Sequence, residues 1–355
     1  MVKRKFASAA SIFGRINQAF DQVSRGKRAV IISAVLLFLA ILVITISLNT
    51  GTVRMSPVAV LQTFLGQGSE QDQIILFDYR LPRILVTVLA GAGLGIAGAA
   101  LQGITRNALA DPGILGLHAG AAFGLIVFVS LSFSMDTSVA LLIPIFAFAG
   151  SVAAALIIML LSYDRHSGVS PIKLILVGIA VAAGFHALTL YLSLRLDEDT
   201  YSFAARWLAG SVWGRDWIHV LALLPWVVLC IAYIWSRSKT LDAFHLGDAA
   251  ATSIGTPVRS RRILLLLCAV ALSAVSVSMA GGIGFIGLAA PHLARRLVGP
   301  IHRHLIPAAG LIGMVILVTA DTVGRTIFAP NVIPAGVVVA AIGAPYFLYL
   351  LVRTK

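Results

Sequence analysis

From Ile84 to Gln102 the chain carries no charged side chain, and no other feature limits its fold so sharply. Arg80 and Arg83 stand before this run, and Arg106 follows it. At 1.5 Å per helical residue, the run is about long enough to cross the ~30 Å hydrocarbon layer of a bilayer. Pro82 should start the helix, because the amide that proline lacks has no partner in a first turn. Gly91 and Gly95 form a GxxxG face that Gly98 continues, and small residues at that spacing let a second helix approach closely in lipid. The run breaks at Thr105-Arg106-Asn107 and turns at Asp111-Pro112-Gly113, whose residue types favour turns in any protein.

The pattern repeats along the chain. Of its 355 residues 59% are hydrophobic and 12% charged, which excludes a soluble domain. The apolar runs predict an all-α polytopic membrane protein with about ten transmembrane helices: 29–48, 81–102, 114–133, 139–161, 172–194, 219–235, 263–280, 283–297, 305–323 and 332–352. The eighth is short and broken by glycine. Ten crossings put both termini on one side. With the termini inside, the inner segments hold twenty Lys/Arg and five acids, and the outer ones seven and nine. The resulting +15 and −2 make up the net +13, so the basicity reflects topology rather than nucleic-acid binding. Residues 1–28 then read as a basic cytoplasmic arm lying on anionic lipid, ahead of a transmembrane domain over 29–355. The apolar run from Ala29 is too long for a signal-peptide core, so no cleavable leader is expected. An amphipathic piece at Pro57–Leu65 suits the outer surface, as does a segment with Trp207, Trp213 and Trp217.

Chemistry-bearing motifs are sparse. Gly93-Gly95-Gly98 and Gly282-Gly284-Gly287 fit GxGxxG but lack the strand–helix context and downstream acid of a dinucleotide site. Helix contact or a break lining a cavity explains both better. No GxxxxGK[ST] occurs, so the chain hydrolyses no ATP by a P-loop. Cys230 and Cys268 sit singly in apolar runs, and no His, Cys, Asp or Glu pair has metal-ligand spacing. No metal, cofactor or catalytic residue is therefore expected. His186, Tyr191 and His292 are polar groups inside spans that neighbouring helices should satisfy. Leu246-Gly247-Asp248-Ala249-Ala250-Ala251-Thr252-Ser253-Ile254-Gly255, in the inner segment 236–262, reads as a short helix between two glycine breakers.

Several stretches resemble the FecCD-type permeases of bacterial ATP-binding cassette (ABC) importers for iron–siderophore, haem and vitamin B12. They are RLPR (80–83), NALADPGILG (107–116), LGDAAATSIG (246–255), GGIGFIGLAAPH (281–292) and IPAGVVVAAIGAPYFLYLL (333–351). Ala108 departs from the family's usual proline after asparagine. The resemblance implies a type II importer permease fold in the bacterial cytoplasmic (inner) membrane, with no enzymatic activity of its own. It implies three kinds of partner: cytosolic ATP-binding subunits, an extracytoplasmic substrate-binding protein, and a second, identical or related permease. Arg80, Arg83 and Arg325 would dock the binding protein through its acidic residues. Leu246, Gly247, Asp248, Ala249, Ala250, Ala251 and Gly255 would couple to the ATPase. Asn107 and Leu109, opposite Pro171 and Ile172, would form a cytoplasmic gate. An iron–siderophore is the expected cargo, with haem or cobalamin as alternatives. An ion-coupled carrier would need buried acids or discontinuous half-helices at matched positions of two repeats, and a membrane enzyme a catalytic pair within a span; no acid lies at mid-span, repeat evidence is weak, and no such pair occurs.

Overall fold

A computed structural model describes residues 2–51, 53, 55–131, 142–164, 168–327 and 331–353. Helix α1 (Val2–Asn49) leads into α2 (Pro57–Phe64) and α3 (Glu70–Gln73). A π-helical segment, Ile74–Arg80, joins α3 to α4 (Leu81–Thr105). Then come α5 (Leu117–Leu131), α6 (Ile143–Ser162), the two-residue strands β1 (Tyr163–Asp164) and β2 (Gly168–Val169), and α7 (Pro171–Ser193). Helices α8 (Glu198–Leu208) and α9 (Trp217–Ser236) precede the short pair α10 (Ser238–Phe244) and α11 (Asp248–Ser253). The chain closes with α12 (Val258–Ala280), α13 (Ile286–Val298), α14 (His302–Thr326) and α15 (Ala335–Arg353). Seven helices among the described residues have the length and apolarity of membrane spans, and α5 and the first part of α15 are shorter apolar helices. With α13 they make the ten predicted crossings. β1 and β2 pair antiparallel.

Helix α4 is the axis of the fold, enclosed by α9, α12, α13 and α14. The apolar window of its continuous helix is 83% buried, against 17% for α1 at the periphery. Glycine makes this enclosure possible. A Cβ on Gly91 would lie 2.5 Å from the Gly313 carbonyl oxygen of α14, and one on Gly98 1.9 Å from that of Gly287 in α13. Backbone therefore touches backbone, gaining dispersion contacts that a bilayer's apolar tails cannot outcompete.

Pro82 lies in the first turn of α4, as the sequence reading has it, but the chain ahead of it is already helical. The helix runs unbroken from Glu70 to Thr105, through the π-helical turn. There the Leu81 amide donates to Leu76, five residues back. Five residues back from Pro82 is Phe77, whose carbonyl receives the indole N–H of Trp217 at 2.9 Å. The wider turn and a borrowed donor thus absorb the amide that proline lacks. Trp213 and Trp217 are exposed, as an interfacial segment requires, but Trp207 is buried in the core. Its carbonyl faces the non-helical link between α12 and α13, where Gly281 (φ 81°) would clash with any side chain. Helix α1 is continuous from Val2 through the expected arm into the first span.

Candidate functional site

Two polar clusters lie at opposite ends of α4. At the outer end, α1 terminates beside the start of α4 and the end of α14. The last carbonyls of a helix lack internal partners and carry partial negative charge. Two arginines supply the missing donors. Arg80 donates to the Leu48 and Val53 carbonyls. Arg325 donates to the Thr50 carbonyl at 2.7 Å and to the Ser47 hydroxyl at 2.7 Å. Arg83 forks onto Asp321, with Nη2 at 2.6 Å and Nε at 3.1 Å from its two oxygens. The Asp321 carboxylate, 4% exposed, also lies 3.6 Å from Arg325 Nε.

The structure thus brings Arg80, Arg83 and Arg325 together, with their guanidinium groups engaged inside the protein. Arg80 and Arg325 are buried, and the Arg83 side chain is 16% exposed. A cavity of about 520 Å³ opens beside them. Arg215 and Asp216 from the α8–α9 loop and Asp78 from the π-helical segment complete its charged lining. Sequence reasoning had not singled out Arg215. Its position just ahead of the Asp216 helix cap, in the outer aromatic segment, was the available signal.

At the inner end, α4 terminates on Arg106, a non-glycine residue in the left-handed region (φ 54°). Its Nη2 donates to Asp248 Oδ1 at 2.8 Å. Arg262, at the start of α12, grips both oxygens of the same carboxylate at 2.7 and 2.9 Å. Such a planar fork on a carboxylate is among the stronger side-chain pairings. Arg262 is buried, with its guanidinium 5.1 Å from the centre of the Phe244 ring. Its hydrogen bonds to Asp248 hold that carboxyl below the ordinary carboxylate range. Asp242 of α10 ties the same region to α14, accepting the His302 amide at 3.0 Å and lying 2.6 Å from His302 Nδ1.

Helix α11, Asp248–Ser253, is bracketed by Gly247 (φ 94°) and Gly255 (φ 83°). Leu246, Ala249, Ala250 and Ile254 are exposed around it. Ala251 points inward and is fully buried, so it cannot face a partner as the other residues of the segment can. In the turn after α4, the Asn107 side chain accepts the Leu109 amide at 2.9 Å. Leu109 and Ile172 both expose apolar side chains, and Pro171 opens α7. Gly95, like Gly91, faces α14: a Cβ there would lie 2.4 Å from the Ala309 oxygen. His186 and Tyr191 on α7 are exposed, not covered by a neighbouring helix of this chain. The Tyr191 hydroxyl instead accepts from Arg195 at 2.6 Å. The His292 ring stands edge-on to Tyr346, their centroids 6.2 Å apart. Among the described residues, no three His, Cys, Asp or Glu side chains gather as metal ligands.

Known proteins share this architecture. The FecCD transport family model matches residues 38–353. The iron(3+)-hydroxamate import system permease protein FhuG of Bacillus subtilis is 43% identical, the match covering 94% of this chain and 99% of that one. The iron-uptake system permease protein FeuC of the same organism is 41% identical, over 90% and 97%. Among solved structures, an inward-facing metal-chelate type ABC transporter superposes with a TM-score of 0.79 at 30% identity, covering 91% of this chain and 99% of that one. A family model spanning nearly the whole chain, full-length relatives and a matching ten-helix fold lead to one conclusion: this multi-pass membrane protein belongs to the FecCD transport family.

Proposed function

We propose that this chain is the permease subunit of an ABC importer for ferric chelates, iron–siderophore complexes first among them. One observation carries the mechanism: α4 is a continuous rod with an arginine cluster at its outer end and the Arg106–Asp248–Arg262 clamp at its inner end. A binding protein docks at the outer rim formed by Arg80, Arg83 and Arg325. Two cytosolic ATPases engage Gly247–Gly255, with Leu246, Ala249, Ala250 and Ile254 as the exposed contact. ATP binding draws the ATPases together, and the clamp passes that displacement to α4 and α12. Opening at one end and closing at the other is a two-state change biased by the ligands at both ends. Asn107 and Leu109, with Pro171 and Ile172 opposite, form the inner gate. The largely exposed helix α7 faces a second permease, and the path runs between the two copies.

The cargo follows from relatives whose names specify ferric hydroxamate or iron uptake. The test is uptake of labelled ferric hydroxamate, ferric citrate, haem and cobalamin in a deletion strain carrying the complete importer. The expected result is ferric-chelate uptake that stops with vanadate and persists with a protonophore. Uptake by the permease alone, or abolished by the protonophore alone, would refute the reading in favour of an ion-coupled carrier. Uptake of haem or cobalamin without ferric chelates would overturn the cargo and leave the mechanism standing.

A further inference from the structure

We infer that Arg215, with Trp213 at its rim, is the group of the outer cavity that grips an acidic side chain of the docked binding protein. This rests on the docking reading above and deepens it. The cavity is lined by four arginines but only two carboxylates, Asp78 and Asp216, so it favours an anion. Three of the arginines are already engaged. Arg80 and Arg325 hold the end of α1, and Arg83 holds Asp321. Arg215 is arranged differently.

Asp216 caps α9, accepting the Ile218 and His219 amides at 3.1 and 3.3 Å. The same oxygen lies 2.6 Å from His219 Nδ1, far closer than the Asp216 amide at 3.4 Å, so we assign the proton to Nδ1 and the acceptor role to Nε2. Arg215 Nη1 donates to that Nε2 at 3.2 Å. The chain Asp216–His219–Arg215 thus fixes the guanidinium through one nitrogen and spends the Asp216 carboxylate elsewhere. Arg215 Nε is buried and has no hydrogen-bond partner within the protein, as is also true of Arg325 Nε, so the part of Arg215 left for a visitor is the Nη end of its guanidinium. With one Nη1 hydrogen directed at His219, the remaining Nη1 and Nη2 hydrogens can donate to both oxygens of a carboxylate arriving from outside.

Trp213, two residues away, is 70% exposed. Gly210 (φ 80°) and Gly214 (φ 71°) shape the loop that presents it. Tryptophan and arginine are both among the residue types enriched at the energetic centres of protein interfaces. The occupant is therefore a protein carboxylate, with the tryptophan shielding the ion pair from water. The other three arginines keep the cavity electropositive and set its shape.

The experiment measures binding-protein affinity for the whole permease–ATPase complex in nanodiscs. Variants are Arg215→Gln, Arg215→Lys, Trp213→Ala and Arg83→Gln, each checked by its melting curve. We expect Arg215→Gln to weaken binding about tenfold to a hundredfold. Arg215→Lys should fall between it and the wild type, because a point charge lacks the fork. Trp213→Ala, at an exposed site that folding does not need, should weaken binding several-fold and carries the test if the Arg215 variants fail to fold. Charge reversal by Arg215→Glu should be rescued by an acid-to-lysine change on the binding protein. Unchanged affinity in the Arg215 and Trp213 variants, with loss in Arg83→Gln, would overturn this inference and spare the docking reading. Unchanged affinity in all of them would overturn both. Intact docking with a raised uptake KM for an anionic chelate would assign Arg215 to the cargo and also overturn the inference.

Discussion

Replacing Gly98 by alanine tests the packing on which the axis of the fold depends. The new Cβ would lie 1.9 Å from the Gly287 oxygen, 2.5 Å from its carbonyl carbon and 2.6 Å from its Cα. That is about 1.5 Å short of ordinary contact. Every atom it meets is backbone, so no side chain can rotate aside. Overpacking of this kind costs about 1–3 kcal/mol, and the lack of any yielding group puts Gly98→Ala at the upper end. Alanine's better helix propensity returns up to about 1 kcal/mol, leaving a net loss of about 2 kcal/mol. Two further variants calibrate the effect. Gly184, also in a helix, has nothing within 4 Å of its Cβ position, so Gly184→Ala should be neutral or slightly stabilising. Gly310→Ala would meet the Ile96 side chain at 2.9 Å, a flexible group that can shift, and should fall between the two. Reversible unfolding in mixed detergent micelles measures all three. If Gly98→Ala proved as stable as Gly184→Ala, the backbone contact between α4 and α13 would not exist as described.

Other outcomes follow from the two clusters. Asp321→Ala leaves the Arg83 and Arg325 cations without their shared carboxylate, and should cost about 3–5 kcal/mol, read as a lower melting temperature of the purified protein. Tryptophan at exposed Ala249 or Ala250 should leave membrane insertion and folding intact while abolishing ATP-driven uptake. Tryptophan at buried Ala251 should instead reduce the folded yield. The Asp248 carboxyl titrates below the ordinary value of about 3.9, so its contribution is complete above that pH and is lost as pH falls through the lower folded value. Hydrogen exchange over 246–255, corrected for intrinsic rates, should therefore be constant from about pH 5 to 8 and rise only in stronger acid. A rise near neutral pH would count against the Arg106–Asp248–Arg262 clamp.

The ten crossings were legible because each is written as an apolar run bounded by charge. The GxxxG face predicted a close helix contact, and glycine spacing outlined α11. What escaped the sequence depends on partners distant in the chain. The helix through Glu70–Arg80 was hidden because its charges and Pro82 resemble a loop and a helix start, and the donor that completes it is Trp217. Three arginines at span ends resemble snorkelling anchors or docking groups. That two of them cap α1 is fixed by carbonyls of Ser47, Leu48 and Thr50, and carbonyls leave no trace in residue identity. Ala249, Ala250 and Ala251 are chemically identical, so only the turn of the helix separates the inward one from its neighbours.

The contact of Gly98 with Gly287 has a mechanical consequence. Helices slide past one another when side chains between them change rotamer, and here no side chain intervenes. A Cβ on Gly287 would also meet Asp111 Oδ1 at 2.5 Å and Pro112 Cδ at 2.7 Å, so the turn after α4 presses on α13 at the same glycine. Helices α4 and α13 therefore travel as one solid part, and the conformational cycle must bend the chain elsewhere. Next to this block lies the non-helical link between α12 and α13, Gly281–Phe285.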